Sequence, residues 1–318
     1  MRITKAVITA AARGVRLYPV ADTVQKSMLP IVDKDGLYKP VIQIIAEEAF
    51  ESGIEEICLI CAPGDEHRYT EGFEALYKNL LETHKNSDWA VAQAGKIKHL
   101  LERMSFVVQK EPRGYGHAVL QACDWVGDNS FLLLLGDYVY VSQIAGKRCA
   151  QQLIDLALQE QCSVAAVSRT PESAISKYGT LTGKAIQNIS GAYKIEKIIE
   201  KPSVSQAELE LYTPGLRAGN YLCFFGMHIF KPSLFDVMKD ELNKNKNADN
   251  IALTPALQIL ANSDKYLALE VKGNRYDLSK KLGLWEAQLA LGLTGKSKNE
   301  MLDKLIEVMA DNARIQNA

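Results

Sequence analysis

A run of small residues and two cations near the start of the chain have the types and spacing of a phosphate-binding loop. A short apolar run leads into Ala11, Ala12 and Gly14, whose small side chains let backbone N–H groups approach an anion closely. Arg16 follows and can fork onto two phosphate oxygens, while Lys26 adds a compact point charge. This spacing predicts a triphosphate site; the alternative is a surface turn with two solvated cations.

Two carboxylates follow apolar runs that predict buried strands. Asp137 comes directly after four leucines and a glycine, and Asp277 lies a few residues beyond the last strand-like run of the chain. In open α/β sheets ligands bind at the carboxyl ends of strands. Mg²⁺ bound to nucleotide phosphates uses only one or two protein carboxylates. The pair is therefore a candidate Mg²⁺ site, although Asp137 alone could equally cap a turn.

Two further loops carry groups suited to a nucleoside and a sugar. Gln109 offers both a hydrogen-bond donor and an acceptor, as the edge of a pyrimidine base requires, and Gly114 would let the backbone approach that edge. Glu200 and Lys201 end a predicted strand and offer a carboxylate for sugar hydroxyls and an ammonium for a phosphate. A strand-end turn of this composition could also simply be solvated.

The overall charge balance gives no bias towards a polyanionic partner. The 318 residues include 37 basic and 38 acidic side chains, for a net charge of −1, which predicts no nucleic-acid partner and no membrane surface. No apolar run reaches the roughly 20 residues that span a bilayer. The first residues lack a signal-peptide pattern, and we expect a cytoplasmic protein.

The six cysteines do not form a metal or disulfide pattern. Cys58 and Cys61 have the spacing of a redox motif, but they lie in a run that predicts a buried strand. Their odd spacing would place the two side chains on opposite faces of the sheet. No second cysteine pair or nearby histidine completes a zinc site. We therefore expect reduced thiols in the core.

The alternation of strand-like and helical runs predicts an α/β protein with a largely parallel sheet. Residues 69–104 carry helical periodicity without a strand and are interpreted as an inserted helical excursion. In this first half, strands are predicted at residues 6–11, 56–61, 105–108, 131–135 and 163–167, with helices at 41–52, 117–126 and 150–160.

From residue 177 onwards the pattern indicates a more antiparallel part of the sheet. The strands expected there cover residues 180–181, 193–199, 220–230 and 266–271, and the helices cover 232–242, 253–261, 280–291 and 299–315. We predict one catalytic body over residues 1–295, with a nucleotide-binding half at about 1–170 and a sugar-binding half at about 171–295. Residues 296–318 form a helical tail, whose apolar stripe either packs on its own domain or contacts another subunit.

Taken together, these motifs resemble the sugar-1-phosphate nucleotidyltransferases, and specifically the bacterial UTP–glucose-1-phosphate uridylyltransferases. The first loop resembles the family's Gly-x-Gly-Thr-Arg. Residues 26–33 closely match its Lys-Glu-Met-Leu-Pro-Ile-Val-Asp, with Ser27 in place of the glutamate, and residues 114–118 resemble its Gly-Leu-Gly-His-Ala. The resemblance extends over about residues 5–290, with further matches in the expected order at 178–179, 200–202, 253–254 and 276–283.

The resemblance implies a GT-A/Rossmann-like nucleotidyltransferase fold with a mixed, mainly parallel central sheet flanked by helices. It implies transfer of UMP from UTP to glucose 1-phosphate with Mg²⁺ and release of pyrophosphate, by a homodimer or homotetramer. The implied catalytic residues are Arg16, Lys26 and Lys201, and Asp137 and Asp277 are the implied metal ligands. The implied nucleotide-binding residues are Ala11, Ala12, Gly14, Gln109 and Gly114, and the implied sugar-binding residues are Gly179, Glu200 and Lys201.

The chain also departs from the family pattern. Ala12 replaces a loop glycine, Val15 a threonine, Asn250 a glutamate and Ala252 a glutamine. Another hexose 1-phosphate, thymine as the base, or a nucleotide-sugar-binding homologue with little turnover therefore remain alternatives. An NAD-dependent oxidoreductase is disfavoured because the first loop is not Gly-x-Gly-x-x-Gly. The longer loop over residues 33–40 has no functional interpretation from sequence.

Overall fold

The computed structural model describes residues 1–12, 14–244 and 248–316. Within these ranges a mixed sheet of nine strands separates two helical layers, each with its own apolar core. Cys58 packs in one core and Cys61 in the other, which confirms that they lie on opposite faces. All six cysteines are free thiols, and burial raises the pKa of both Cys58 and Cys61 to about 12.

Parallel pairing dominates the first half of the sheet. Strand β1 lies between β4 and β6, and β4 also pairs with β5, all in parallel. The elements of this half are β1 (Ile3–Thr9), β2 (Pro30–Val32), β3 (Tyr38–Pro40), α1 (Val41–Phe50), β4 (Glu56–Cys61), α2 (Asp65–Thr83), α3 (Asp88–Arg103), β5 (Met104–Val108), α4 (Tyr115–Leu120), α5 (Cys123–Val126), β6 (Ser130–Leu135), β7 (Tyr138–Ser142), α6 (Cys149–Glu160) and β8 (Ser163–Pro171).

Antiparallel pairing dominates the second half, as the sequence pattern predicted. Strand β11 lies antiparallel between β6 and β8, and β9 pairs with both β10 and β11, so this end of the sheet curls back on itself. The remaining elements are β9 (Gly179–Ala185), β10 (Ala192–Glu200), α7 (Val204–Glu210), β11 (Asn220–Phe230), α8 (Ser233–Lys244), α9 (Thr254–Ser263), β12 (Tyr266–Glu270), β13 (Gly273–Asp277), α10 (Gly283–Thr294) and α11 (Lys298–Gln316).

Several predicted boundaries are wrong by a few residues. Strand β1 ends at Thr9, so the small residues that follow belong to the loop. The helix predicted over residues 117–126 is two helices, because the Ala122 N–H bonds to the Val119 carbonyl in a tighter turn. The excursion over residues 69–104 is a pair of packed helices, α2 and α3, which buries Phe73 and Ile97 in one core.

The segment that carries Asp277 is a strand and not a loop, which corrects the sequence-based interpretation. Its apolar content is too low to reveal it, since the five residues read Gly-Asn-Arg-Tyr-Asp. It forms a two-stranded antiparallel ribbon with β7, in which Asp277 lies opposite Tyr138. The strand β7 was also missed, because Gly136 and Asp137 interrupt the apolar pattern just before it.

The tail helix α11 forms where it was predicted, but the rest of the chain covers its apolar stripe only in part. Of the predicted stripe of Leu302, Leu305, Ile306 and Met309, Leu305 is half-buried, while Leu302, Ile306 and Met309 are 36%, 64% and 65% exposed. The neighbouring Met301 contacts α10, where its thioether lies close against Gly292. Packing on its own domain therefore accounts for only part of this stripe.

A buried lysine holds the hairpin formed by β2 and β3 against α1. Lys39 is only 2% exposed, and its Nζ lies 2.7 Å from Asp33 Oδ2, 2.7 Å from Asp35 Oδ2 and 2.9 Å from Glu47 Oε2. Burial acts to lower the pKa of Lys39, but the carboxylates of Asp33 and Glu47 outweigh it and raise that pKa above its usual value. The loop over residues 33–40 is therefore a rigid, electrostatically anchored turn.

We expect Lys39→Ala to lower the free energy of unfolding by about 3–5 kcal/mol, because it leaves buried carboxylates without their counter-charge. Lys96→Ala is the matched control. Its ammonium lies 3.1 Å from the same Glu47 but is 42% exposed, so its loss should cost less than about 1 kcal/mol. Urea denaturation followed by circular dichroism measures both values, and equal values for the two variants would contradict this account.

Candidate active site

The loop after β1 contains a glycine in the left-handed conformation and borders a cavity. Gly14 adopts a φ of +69°, which residues with a side chain rarely adopt. A Cβ at this position would also lie only 3.2 Å from the Lys26 side chain, so both the backbone conformation and the available space favour glycine. Ala12 and Lys26 line a cavity of about 440 Å³, which Gly64 and Arg68 close from the side of α2. An alanine at position 12 leaves this cavity open.

The two predicted cations differ in their surroundings. Arg16 lies on a short 3₁₀ turn, Val15–Leu17, where its side chain is exposed; within the described ranges no carboxylate pairs with it. Lys26 lies on a second 3₁₀ turn, Lys26–Met28, and is almost fully buried. Its Nζ lies 2.5 Å from Asp137 Oδ2. The Arg16 guanidinium is thus available to an incoming anion, and Lys26 links the loop to the end of β6.

Asp137 reaches this loop because β6 and β1 approach each other closely where they end. The Gly136 N–H donates to the Thr9 carbonyl at 2.9 Å, and a Cβ on Gly136 would lie 2.7 Å from that oxygen. A larger residue at position 136 would push the two strands apart. The carboxylate of Asp137 is therefore held beside the small-residue loop.

Asp277 meets Asp137 through the ribbon of β7 and β13. The Leu278 N–H donates to the Asp137 carbonyl at 2.9 Å, and the Tyr138 hydroxyl donates to Asp277 Oδ2 at 3.3 Å. Ser279 donates its hydroxyl to Asp277 Oδ1 at 2.6 Å. Burial, and then the Asp277 carboxylate, raise the pKa of Tyr138, so its phenol stays protonated as a donor. The two predicted carboxylates are thus brought together.

These two carboxylates fit a cation that also takes oxygen ligands from a substrate. Over the ranges that the structure describes, no group of three or more His, Cys, Asp or Glu side chains is close enough to hold a metal ion. A full protein cage is therefore absent from those ranges. Two carboxylates beside a phosphate-binding loop match the sparse protein ligation that is typical of Mg²⁺ with nucleotide phosphates.

Gln109 and Gly114 lie together at the end of β5. The Gln109 backbone N–H donates to the Cys61 carbonyl at 2.9 Å, and its side-chain Nε2 donates to the Gly114 carbonyl at 3.2 Å. Gly114 has a φ of +94°, and a Cβ there would overlap the Asn250 side chain. The side chain that replaces the family's glutamate therefore packs directly on the predicted base-binding loop.

Gly179, Glu200 and Lys201 form a second cluster where β9 begins and β10 ends. Gly179 lies opposite Glu200, and a Cβ on it would lie 2.7 Å from the Phe224 ring. Glu200 accepts a 2.8 Å hydrogen bond from the Thr254 hydroxyl. Lys201 has a φ of +47° and a largely exposed side chain, whose Nζ lies 3.8 Å from Glu200 Oε1.

The two clusters face each other across aromatic side chains that the sequence did not single out. The hydroxyl of Tyr115 lies near both Asp137 and Glu200; burial, followed by these two carboxylates, raises its pKa. The Lys280 Nζ donates to the Tyr178 hydroxyl at 2.6 Å and lies 3.8 Å from Asp277 Oδ2. In the sequence, only the spacing of three residues between Asp277 and Lys280 could have indicated that Lys280 lies in the cleft.

Arg275 completes the wall of the cleft on the side of Tyr178. Its guanidinium carbon lies 4.1 Å from the centre of the Tyr178 ring, and its Nη1 donates to the Ser168 hydroxyl at 2.9 Å. The cleft therefore joins the small-residue loop, two carboxylates, a glutamine with a glycine, and a Glu-Lys pair. Such a set can hold a nucleoside triphosphate and a phosphorylated sugar.

Comparison with known proteins assigns this arrangement to a family. The family model for nucleotidyl transferases matches residues 5–292. The chain is 32% identical over 311 residues to a UTP–glucose-1-phosphate uridylyltransferase 1 of Streptococcus pyogenes serotype M3, covering 96% of this chain and 94% of that protein.

None of the helices over the described residues has the length and apolarity needed to span a lipid bilayer.

Solved structures show the same fold. A UTP-bound UDP-glucose pyrophosphorylase from Acinetobacter baumannii aligns with a TM-score of 0.75 at 27% identity, covering 96% of this chain and 99% of that one. A UDP-glucose pyrophosphorylase complexed with UDP-glucose aligns with a TM-score of 0.71 at 29% identity, covering 91% and 98%. By its motifs, its fold and these similarities, the chain belongs to the nucleotidyl transferase family.

Proposed function

We propose that this protein transfers UMP from UTP to glucose 1-phosphate, giving UDP-glucose and pyrophosphate. The similar proteins carry this activity in their names, and two similar structures contain UTP or UDP-glucose. The observation that carries the proposal is the meeting of Lys26, Asp137 and Asp277 beside the small-residue loop. Lys26 supplies positive charge to a triphosphate, and the two carboxylates would hold the metal ion that supplies the rest.

The reaction requires positioning and charge neutralisation more than proton transfer. The phosphate of the sugar is already anionic at neutral pH, so one of its oxygens attacks the α-phosphorus of UTP without a general base. The bond between that phosphorus and the oxygen bridging to the β-phosphate breaks, and pyrophosphate leaves. Arg16 and Lys26 hold the triphosphate, and Lys201 holds the sugar phosphate in line with the scissile bond.

The remaining predicted site residues also have roles in this reaction. Asp137 and Asp277 would hold Mg²⁺, which would neutralise the phosphate charge when bound. Glu200 binds sugar hydroxyls, and Gly179 contributes backbone beside it, where its missing side chain lets β9 lie against the Phe224 ring. Ala11, Ala12 and Gly14 present backbone to the triphosphate, and Gln109 and Gly114 read the base.

The nucleotide thus occupies the half formed by residues 1–170, and the sugar occupies the half formed by residues 171–295. A cytoplasmic location agrees with the six free cysteines, since thiols persist unpaired in reducing compartments.

The alternatives to the proposed function are another sugar 1-phosphate as acceptor, dTTP in place of UTP, or a binding function with little turnover. The substitutions at Ala12, Val15 and Asn250 are the reason why these alternatives stay open.

Release of pyrophosphate from UTP with a panel of sugar 1-phosphates tests the proposed function. Glucose 1-phosphate should give the highest kcat/KM among glucose, galactose, mannose and N-acetylglucosamine 1-phosphates. A higher value with another sugar would reassign the substrate. Tight binding of UDP-glucose without measurable pyrophosphate release would identify a binding homologue instead.

We expect Asp137→Asn and Asp277→Asn each to lower kcat at least about 100-fold, since each keeps its shape but loses the charge used in the transition state. Asp303→Asn, an exposed carboxylate on the tail helix, is the control and should leave kcat unchanged. Thermal unfolding checks that the three variants stay folded. Near-normal turnover of both site variants at limiting Mg²⁺ would overturn the metal assignment.

Gln109→Ala should weaken the preference for UTP over CTP and the purine triphosphates. A site built to hydrogen-bond a base edge loses about 1–3 kcal/mol when a partner is left unpaired. Competition between the nucleotides in the pyrophosphate assay measures this preference in kcat/KM. If the unmodified enzyme used ATP or GTP as well as UTP, pyrimidine recognition would be disproved.

A second copy of this chain is the partner proposed for the tail helix, in a homodimer or homotetramer. The exposed side chains of Leu302, Ile306 and Met309 form one apolar face of α11, and such a face is stabilised when another surface covers it. The resemblance to enzymes that are commonly dimers or tetramers supports this choice.

The combined change Ile306→Asp and Met309→Asp should convert the oligomer to monomers, because charges would be buried in the contact. Light scattering measures the mass, and circular dichroism checks the fold. Asp311→Lys, on the opposite face of the helix, is the control and should keep the oligomer. Truncation after Thr294 should also give monomers, and an unmodified chain that is already monomeric would refute the contact.

A further inference from the structure

The residues on either side of Lys26 both bond to helix α2. On one side, Gln25 Nε2 donates to Asp65 Oδ1 at 2.9 Å. On the other side, the hydroxyl oxygens of Ser27 and Tyr69 lie 2.5 Å apart, within hydrogen-bond distance. Asp65 and Tyr69 are one helical turn apart and therefore lie on the same face of α2. The turn that carries the buried lysine is thus fastened to α2 from both sides.

The same face of α2 also receives the end of this turn. A Cβ on Gly72 would lie 3.1 Å from the Cε atom of Met28, so the missing side chain makes room for the methionine. Positions 65, 69 and 72 have the spacing of neighbours on one helix face. Helix α2 therefore provides the surface on which the Lys26 turn rests.

The link between Ser27 and Tyr69 is buried and rigid. Both residues are 0% exposed, and the ring of Tyr69 stacks on Phe106 of β5 with 6.1 Å between the ring centres. Burial raises the pKa of Tyr69, so the phenol stays protonated and neutral. A glutamate at position 27, as in the family pattern, is longer and charged, so it could not replace this contact in the same buried space. The serine and the tyrosine are therefore matched to each other in this chain.

The backbone around the turn does not by itself fix the position of Lys26. The 3₁₀ turn has only three residues, and such short turns need outside contacts to be stable. Beyond the turn, the Leu29 carbonyl accepts a hydrogen bond from the Val41 N–H of α1 at 3.1 Å. Before the turn, residues 18–23 are largely exposed. The bonds to α2 are the side-chain anchors that directly flank the lysine.

We propose that Ser27 and Tyr69 are a positioning pair for the reaction, which holds the turn of Lys26 where its ammonium reaches both Asp137 and the phosphates of UTP. This inference rests on the proposed function, in which Lys26 holds the triphosphate. The Lys26 side chain already spans from the turn on α2 to the end of β6, where its Nζ lies 2.5 Å from Asp137 Oδ2. A shift of the turn would withdraw the ammonium from the charge that develops on the leaving pyrophosphate.

The test compares kcat/KM for UTP, measured with glucose 1-phosphate in the full-length chain, with the dissociation constant for UDP-glucose. Tyr69→Phe and Ser27→Ala each remove the bond and should lower kcat/KM for UTP about tenfold. The dissociation constant for UDP-glucose should change less than about threefold, because UDP-glucose lacks the two phosphates that leave as pyrophosphate. Tyr77→Phe removes the phenol hydroxyl of a half-buried tyrosine further along α2 and should change neither quantity.

The double variant Ser27→Ala with Tyr69→Phe separates positioning from stability. Each single variant leaves one buried hydroxyl without its partner and should lower Tm, whereas the double variant removes both partners and should have a Tm closer to that of the unmodified enzyme. Its kcat/KM for UTP should still be about tenfold low, and not about a hundredfold, because the same bond is lost only once. Recovery of kcat/KM together with Tm would overturn the inference, since the bond would then be only structural.

The outcomes also separate this inference from the proposed function. If the unmodified protein binds UTP but releases no pyrophosphate, the proposed function fails, and the same variants should then weaken UTP binding about tenfold. If the unmodified protein binds no UTP, both fail. Equal losses for UTP and UDP-glucose would show that the variants disturb the whole cleft, and would overturn the inference. Should a single variant not fold, the double variant decides, because an unchanged kcat/KM for UTP in it overturns the inference.

Discussion

The ribbon formed by β7 and β13 is the constraint on which the rest of the cleft depends. The two strands are far apart in sequence, and each is too short or too polar to be stable alone. Their pairing sets Asp277 opposite Tyr138, and therefore next to Asp137. The hydrogen bond from Leu278 to the Asp137 carbonyl fixes the same register a second time. This ribbon is therefore the contact that brings the segments carrying the two carboxylates together.

Close backbone approach is the second organising feature, and it explains the glycines that the cleft requires. At Gly136 it brings the end of β6 against β1, and at Gly179 it brings β9 against Phe224. At Gly114 and Gly116 it seats α4 on residues 250–252. Each added methyl group would displace a neighbouring strand or loop. The distances between functional side chains therefore depend on these glycines, because their missing Cβ atoms allow neighbouring backbones to approach closely.

Buried charge has two different functions in this molecule. Lys39 lies in a network of carboxylates that fastens the β2–β3 hairpin, and its role is structural because its partners are all internal. Lys26 is buried too, but it borders a cavity and has Asp137 as its ion-pair partner. A phosphate that enters the cavity can share the Lys26 ammonium. The difference between the two lysines is access to the cleft, which their sequence contexts do not reveal.

Local pattern in the sequence determined the α/β class, most of the helices and strands, and the residues with suitable chemistry, because periodicity and side-chain type are local properties. Gln109, Asp137 and Glu200 were identifiable since each follows an apolar strand. Tertiary structure alone decided that β13 pairs with β7, which places Asp277 beside Asp137, and that the Gln109 amide donates to the Gly114 carbonyl. It also decided that the stripe on α11 stays largely exposed. These outcomes depend on contacts between segments distant in sequence, whose partners and distances no local pattern encodes.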